Sequence, residues 1–195
     1  MQNKPEILLI GGGGHCHSVI DVIEQENKYT IAGIIDKKKL IETNILGYKV
    51  IGSDDDLKEL FHIYKYAIIT VGQIKSNTLR VKLFNLVKSI GYTLPTIISP
   101  LSYVSKHAEI GEGTVIHHHA LVNANATISK NCIINTKVLI EHDAIVEDNC
   151  HISTGAIING GTTVQSNTFI GSNSISREST IIKKNSFIKA GSLVV

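Results

Sequence analysis

Cysteine is scarce in this sequence: its 195 residues include three cysteines and no Cys-x-x-Cys pair. An odd number without that spacing favours neither a disulfide framework nor a zinc ribbon. Long apolar runs are also lacking, since none approaches the ~20 residues that a membrane span requires. No signal peptide stands ahead of Ile7. From these absences we expect a soluble, cytoplasmic protein.

A strong charge of either sign is missing as well. The chain has 19 basic and 17 acidic residues, for a net charge of +2. Runs of three like charges occur only at Lys37–Lys39 and Asp54–Asp56. Nucleic acids and anionic membranes are bound by a basic stripe, which this sequence does not have. We therefore expect neither as a partner.

The second half of the chain contains a repeat of six residues. Val or Ile recurs at every sixth position from Val104 to Val194, with Ser176 as the single break. This period fits neither a helix nor a plain strand and indicates a parallel β-helix built from hexapeptides. Three hexapeptides per triangular coil give 18 residues and about five coils, with equivalent residues ~4.8 Å apart. Cys132 and Cys150 should then stack in adjacent coils.

The first half alternates between strands and helices. The sequence predicts strands at residues 6–10, 29–35 and 66–71 and helices at residues 15–26, 54–64 and 77–90. Such alternation indicates a small, Rossmann-like parallel sheet with helical crossovers. Pro95 and Pro100 mark the boundary, within a linker at about residues 92–103. We therefore predict an α/β domain at 1–95 that binds a nucleotide sugar and a β-helix domain at 96–195.

A glycine run, Gly11–Gly14, joins the first strand to the first helix. Bare backbone there would let a ligand phosphate approach the amide groups at the start of the helix. The dinucleotide fingerprint fails, because Cys16 or His17 occupies its third glycine position. Asp36 closes the second strand, where a carboxylate could accept hydrogen bonds from a base or ribose. The run is consistent with a nucleotide-type ligand or with a tight structural turn, whereas ~95 residues leave no room for a full NAD site.

Two groups of histidines could carry chemistry. His117–His119 resemble a metal cluster by number, but neighbours in an extended chain point to opposite sides, so we expect exposed or interface histidines and no metal. His142 precedes Asp143 and should stack between Ala124 and Gly160, whose small side chains leave room for a ligand. An imidazole beside a carboxylate can act as a base near neutral pH. The alternative is an ordinary surface histidine.

Several motifs together resemble a known family. They are GGGGH at 11–15, IIDKK at 34–38, VGQI at 71–74, NTKVLIEHD at 135–143 and HISTGAIINGG at 151–161. The chain resembles the bacterial sugar acetyltransferases of the left-handed β-helix superfamily, in the branch of sialic acid O-acetyltransferases and nucleotide-amino-sugar N-acetyltransferases. The resemblance implies a left-handed β-helix, a homotrimer, acetyl-coenzyme A as donor and an active site between neighbouring β-helices.

The same resemblance assigns roles to individual residues. His142 would be the general base and Asp143 the carboxylate that orients it. The coenzyme would be bound by His151, Gly160, Gly161 and Ser172. The sugar nucleotide would be bound by Gly13, Gly14, His15, Asp36, Lys37, Gln73, Asn135 and Thr136. Family members usually continue into a closing segment with a Gly-x-Pro-Ala motif, whereas this sequence ends at Gly191–Val195. We therefore expect part of the wall of the coenzyme site to be missing or to be supplied differently.

The resemblance implies an enzyme that acetylates the amine of a nucleotide-activated 4-amino-4,6-dideoxy sugar used for surface glycans or glycoproteins. Transfer should be direct, because no cysteine or serine lies beside His142 as a covalent nucleophile. Two alternatives remain. One is O-acetylation of a sialic-acid-like nonulosonic acid, since a hydroxyl also needs a base. The other is a trimeric scaffold without catalytic activity.

Overall fold

The structure is a computed structural model that describes residues 4–195. The chain forms two compact units. The amino-terminal unit contains residues 4–72 and Thr78–Pro95, and the β-helix unit contains Gln73–Asn77 and Thr96–Val195. Among the described residues, no helix combines the length and the apolar character needed to cross a membrane.

The amino-terminal unit is a five-stranded sheet with three α-helices. Its elements are β1 (Glu6–Ile10), α1 (Gly14–Glu26), β2 (Thr30–Ile35), β3 (Asn44–Ile45), β4 (Tyr48–Gly52), α2 (Leu57–Leu60), β5 (Tyr66–Ile69) and α3 (Thr78–Ile90). The strand order is β3-β4-β2-β1-β5. All neighbours are parallel except β3 and β4, which are antiparallel. The predicted Rossmann-like sheet is confirmed.

The centre of this sheet is apolar on both faces. Residues 7–10 of β1 are at most 1 % exposed, as expected for a central parallel strand covered on both sides. Two features differ from the prediction. The antiparallel pair β3 and β4 was not predicted, and the helix predicted at residues 54–64 is a 3₁₀ turn, Asp54–Asp56, followed by the single turn of α2.

The β-helix unit consists of 17 two-residue strands. These are β6 (Ile97–Ile98), β7 (Tyr103–Val104), β8 (Glu109–Ile110), β9 (Val115–Ile116), β10 (Leu121–Val122), β11 (Thr127–Ile128), β12 (Ile133–Ile134), β13 (Leu139–Ile140), β14 (Ile145–Val146), β15 (His151–Ile152), β16 (Ile157–Ile158), β17 (Thr163–Val164), β18 (Phe169–Ile170), β19 (Ile175–Ser176), β20 (Ile181–Ile182), β21 (Phe187–Ile188) and β22 (Leu193–Val194). They form three parallel sheets, which we call sheet 1 (β7, β10, β13, β16, β19, β22), sheet 2 (β8, β11, β14, β17, β20) and sheet 3 (β6, β9, β12, β15, β18, β21). The left-handed β-helix is confirmed, with five complete coils and two further strands.

The register of these sheets reproduces the sequence repeat. Leu121 pairs with Leu139 and Val122 with Ile140, so neighbours in a sheet are 18 residues apart. The β-helix begins with β6, one hexapeptide before the recognised pattern and inside the stretch interpreted as a linker. The repeated Val and Ile side chains fill the interior. Ser176 breaks the series but stays buried, because its hydroxyl oxygen accepts a hydrogen bond from the backbone N–H of Asn159 at 2.9 Å.

The two stacked cysteines are part of this interior. Cys132 and Cys150 are both fully buried free thiols. A hydrogen bond with Cys132, followed by burial, raises the pKa of the Cys150 thiol far above its ordinary value. The predicted stacking in adjacent coils is confirmed, and such a thiol stays protonated and packs as a small apolar side chain.

Turns of four residues connect the sheets and form the corners of the triangular coil. From residue 111 onward, one residue in each turn has left-handed backbone geometry, and asparagine or glycine occupies most of these positions. We call the turns from sheet 1 to sheet 2 the 1–2 corner; they comprise residues 105–108, 123–126, 141–144, 159–162 and 177–180. The turns from sheet 3 to sheet 1 form the 3–1 corner, at residues 99–102, 117–120, 135–138, 153–156, 171–174 and 189–192.

Candidate active site

His142 and Asp143 lie in the 1–2 corner, in the turn between β13 and β14. Asp143 takes the left-handed position, with φ of 61°. The turn is held from both sides: the N–H of Asp143 donates to the carbonyl of Ala124 at 3.3 Å, and the N–H of Gly161 donates to the carbonyl of His142 at 3.0 Å. The two side chains are 64 % and 54 % exposed. The corner therefore presents an imidazole and a carboxylate to solvent on a rigid backbone.

A chain of hydrogen bonds orients the imidazole. His142 Nδ1 lies 2.7 Å from Asp143 Oδ2, and Asn125 Nδ2 donates to Asp143 Oδ1 at 2.6 Å. A carboxylate acceptor at Nδ1 favours the tautomer with its proton there. Nε2 then carries the lone pair of the neutral ring. This is the arrangement that a general base requires.

The electrostatics of the pair follow from these bonds. The hydrogen bond with Asp143 raises the pKa of His142 above its ordinary value, and the nearby charges of Asp143 and Glu141 act in the same direction. The hydrogen bonds from Asn125 and then from His142 lower the pKa of Asp143. Asp143 thus remains ionised across the neutral range, while His142 can both accept and return a proton.

Gly160 lies directly beside the imidazole ring. A Cβ atom placed on Gly160 would be 2.9 Å from His142 Cε1 and 3.0 Å from Nε2. The sequence pattern predicted that the small residue here leaves room for a ligand. In the structure the imidazole ring itself fills that room, so a glycine is needed at this position for the ring to lie where it does.

Sequence analysis missed two residues of this corner. Asn125 holds Asp143, and Glu141 accepts hydrogen bonds from Asn123 Nδ2 at 2.7 Å and from the N–H of His142 at 3.3 Å. Both asparagines lie 18 residues before the carboxylate that they bind. The 18-residue stacking rule, which placed Ala124 under His142, was the signal that could have found them.

Other predicted site residues lie in the 3–1 corner and on sheet 3. Asn135 and Thr136 share a turn, in which Asn135 Oδ1 accepts from the N–H of Thr136 at 2.8 Å. Ser172 Oγ lies 3.0 Å from Ser153 Oγ in the same corner. His151 is on β15, where Nε2 lies 3.4 Å from Asn135 Nδ2. A single chain therefore places these residues at a different corner of the prism from His142.

Gln73 belongs to the β-helix unit, although it was predicted among the residues that bind the sugar nucleotide. Its side chain is 4 % exposed, and Nε2 donates to the backbone carbonyl of Asn149 at 2.8 Å. The backbone carbonyl oxygen of Gln73 is hydrogen-bonded to His151 Nδ1. Gln73 thereby fixes the orientation of the His151 ring.

The glycine run opens toward solvent at the start of α1. Gly13 is the N-cap of this 13-residue helix, and a Cβ atom on Gly13 or Gly14 would meet nothing within 4 Å. Gly12 is crowded instead, since a Cβ there would lie 2.4 Å from the Ile45 side chain. A helix N-terminus with bare backbone on its open side is suited to a phosphate group.

Asp36 and its neighbour Lys37 adjoin this loop. The Asp36 carboxylate accepts from the N–H of Gly12 at 2.5 Å through one oxygen and from the N–H of Lys37 at 2.6 Å through the other. It therefore fixes the shape of the glycine run. His15 lies on the first turn of α1, with its Cβ 3.3 Å from the position of a Cβ on Gly72.

The expectation that His117–His119 are exposed or interface residues in an extended chain is wrong for His117, which is 1 % exposed. The three form part of a corner turn, with His119 at φ of 59°. His118 Nδ1 lies 2.6 Å from Ser99 Oγ. Among residues 4–195, no group of three or more histidine, cysteine and acidic side chains could hold a metal ion.

Comparisons with known proteins support this description. Residues 6–87 match the family model described as the PglD N-terminal domain. Among solved structures, the acetyltransferase domain of PglB from Neisseria gonorrhoeae FA1090 is 26% identical, with 98% of this chain and 92% of that chain covered and a TM-score of 0.91. The same domain in complex with acetyl coenzyme A aligns over 98% of this chain and 93% of that chain at 26% identity, with a TM-score of 0.88.

A second relative is the perosamine N-acetyltransferase from Caulobacter crescentus, in complex with CoA and GDP-perosamine. It is 25% identical, with 96% of this chain and 92% of that chain covered and a TM-score of 0.69. No match was found among curated protein sequences. In its β-helix, in its amino-terminal domain and over nearly its whole length, the protein is therefore similar to sugar acetyltransferases of the hexapeptide-repeat class.

Proposed function

We propose that this protein transfers the acetyl group of acetyl-coenzyme A to the amine of a nucleotide-linked 4-amino-4,6-dideoxy sugar. The observation that carries the proposal is the hydrogen-bonded chain from Asn125 through Asp143 to His142 at an exposed corner. The relatives agree with the substrates: one was crystallised with acetyl coenzyme A, and the other with CoA and GDP-perosamine. The Caulobacter complex was obtained with variants in which one histidine is replaced by asparagine or alanine.

The chemistry needs one proton acceptor. The neutral amine nitrogen forms a bond to the thioester carbon, and neutral His142 takes the proton that this nitrogen loses through Nε2. A backbone amide stabilises the negative oxygen that develops. The C–S bond then breaks, and the coenzyme thiolate takes the proton back from the imidazolium. Asp143 stabilises the imidazolium while it exists.

We assign nucleotide binding to the amino-terminal unit. The open amides of Gly13 and Gly14 at the start of α1 would bind a phosphate group, with His15 and Lys37 beside them. Asp36 contributes by holding the loop through Gly12 and Lys37. Of the eight residues predicted to bind the sugar nucleotide, this assignment keeps the five that lie in the amino-terminal unit, with the role of Asp36 changed from direct contact to support of the loop.

We further propose that the active site is completed in a homotrimer. His142, Gly160 and Gly161 lie in the 1–2 corner, whereas Asn135, Thr136 and Ser172 lie in the 3–1 corner, with His151 adjacent on sheet 3. One subunit would supply the base, and its neighbour the second set of residues. Gly160, Gly161, His151 and Ser172 would then face the coenzyme from both sides of a cleft, with Asn135 and Thr136 near the sugar.

The outer face of sheet 1 supports such an assembly. Each of its six strands directs one large apolar side chain outward: Tyr103, Leu121, Leu139, Ile157, Ile175 and Leu193. Tyr103, Ile175 and Leu193 are 60 %, 39 % and 70 % exposed. A continuous apolar row of this length is typical of a surface that is covered by another protein chain.

The proposal is tested by following coenzyme A thiol release with a panel of UDP-, GDP- and CMP-linked amino sugars and free nonulosonic acids. We expect turnover with at least one amino sugar, and His142→Asn should lower kcat by roughly 100-fold, the order of a lost general base. His62→Asn, at an exposed histidine of the amino-terminal unit, is the matched control. Unchanged turnover of His142→Asn would remove His142 from the mechanism. If no acceptor is turned over and calorimetry detects no binding of acetyl-coenzyme A, the proposal is refuted and the alternative of a scaffold without catalytic activity is favoured.

A further inference from the structure

Asn125 lies one coil below Asp143, on the same corner. Its Nδ2 donates to Asp143 Oδ1 at 2.6 Å, while Asp143 Oδ2 lies 2.7 Å from His142 Nδ1. From this geometry we infer that Asn125 is a positioning residue for acetyl transfer, which holds the Asp143 carboxylate in the plane that orients His142. The inference rests on the proposed function and adds a residue from the neighbouring coil to it.

The carboxylate needs such support because the site is exposed. The Asp143 side chain is 54 % exposed, and Asn125 is exposed as well. Rotation of the carboxylate about its last bond would break the contacts with Asn125 and His142 together. Since each of its oxygens has a different partner, the amide of Asn125 selects the one rotation that leaves Oδ2 for the imidazole. A hydrogen bond to an ionised acceptor is roughly twice as strong as one between neutral groups.

The backbone gives another reason for an asparagine at this position, and the test must separate the two. Asn125 has φ of 61°, a left-handed geometry that asparagine tolerates well. Asn131 has φ of 57° at the next corner, and its Nδ2 donates to Asn149 Oδ1 at 2.9 Å. The two asparagines share geometry and spacing to their acceptors. They differ in the acceptor, which is a neutral amide for Asn131 and the carboxylate next to the base for Asn125.

The surroundings of His142 are otherwise simple. The charged groups beside it are Asp143 and Glu141, and Asn123 anchors the latter from the coil below. The residues facing it from the coil above are the uncharged Gly160 and Gly161. A change in the protonation of His142 on altering Asn125 can therefore be traced to Asp143.

The experiment compares Asn125→Gly with Asn131→Gly, alone and in an Asp143→Asn background. Glycine keeps the left-handed backbone and removes only the side-chain amide. We expect Asn125→Gly to lower kcat by about tenfold, the order of one hydrogen bond to a charged group, with both KM values within about twofold of wild type. In the Asp143→Asn background the same change should have little further effect, since coupled residues are not additive. NMR titration should show the pKa of His142 falling toward its ordinary value in Asn125→Gly only.

Three results would overturn the inference while the wild-type enzyme remains active: unchanged kcat in Asn125→Gly, an equal loss in Asn131→Gly, or an undiminished loss in the Asp143→Asn background. Inactivity of the wild-type chain toward every acceptor would instead refute the proposed function. The NMR measurement needs no substrate, so an unmoved pKa of His142 refutes the positioning role even in that case.

Discussion

Replacing Gly160 by alanine tests how closely the imidazole of His142 must be held. A Cβ on Gly160 would lie 2.9 Å from His142 Cε1, whereas ordinary contacts begin at 3.4 Å, so the ring must move by at least about 0.5 Å. Gly160 does not have the left-handed backbone, so alanine adds no backbone strain. The ring is 64 % exposed and can swing outward with little loss of burial. The substitution should therefore disturb the position of the base and leave the fold intact.

The size of the effect follows from the geometry of the pair. Swinging the ring away from Gly160 lengthens or misaligns the 2.7 Å contact between His142 Nδ1 and Asp143 Oδ2. Misplacing a reacting group by about 1 Å can cost roughly 100-fold in rate. We expect Gly160→Ala to lower kcat by about 10- to 100-fold, with a thermal midpoint within about 2 °C of wild type because only a surface side chain moves.

The assay is steady-state thiol release together with circular dichroism melting. Lys184→Ala is the control, because it places an alanine at the same turn position of another corner. That variant should match wild type in both measurements. Wild-type kcat for Gly160→Ala would show that the base acts from a different ring position, and the argument that Gly160 seats the imidazole would fail.

Two further predictions concern protonation and the glycine loop. The hydrogen bond to Asp143 raises the pKa of His142, so log(kcat/KM) should rise with pH through an apparent pKa above the ordinary value for histidine and then level off. Asp143→Asn should move the rising part of this profile to lower pH and lower its plateau. A rising part that does not move would disprove the role of His142 as the base. Gly12→Ala should raise KM for the sugar nucleotide at least about tenfold and leave KM for acetyl-coenzyme A unchanged, because a Cβ would overlap Ile45 and Asp36. Initial-rate kinetics with each substrate varied in turn would check this. A raised KM for acetyl-coenzyme A alone would contradict a phosphate site at the glycine run.

The β-helix was predictable because its structure follows from a single period. Each coil buries the same aliphatic position, so the sequence displays the interior directly, and register pairs such as Val122 with Ile140 follow from counting. The same counting placed Gly160 beside His142. It could also have placed Asn125 under Asp143. An asparagine is expected at a left-handed position for backbone reasons alone, however, so Asn125 gives no sign of a functional role in the sequence.

Other features depend on contacts that no local pattern encodes. Leu46 and Gly47 connect β3 and β4 with φ of 48° and 89°, and a leucine in that position hides the usual Asn-Gly signal of a two-residue hairpin. The buried position of His117 depends on the packing of its corner. The engagement of both Asp36 oxygens by the glycine loop could be seen only once the turn was folded.

The 18-residue spacing of the turns in the 1–2 corner also means that the residues around His142 form a local unit within the β-helix. Asn125, the pair His142 and Asp143, and Gly160 occupy three consecutive turns, and each turn repeats the backbone of the one beneath it. Insertion or removal of one whole coil elsewhere would leave these four residues in the same mutual arrangement. The β-helix can thus gain or lose coils without a change in the arrangement of these four residues. In such a backbone the number of coils and the residues around His142 can change independently of each other.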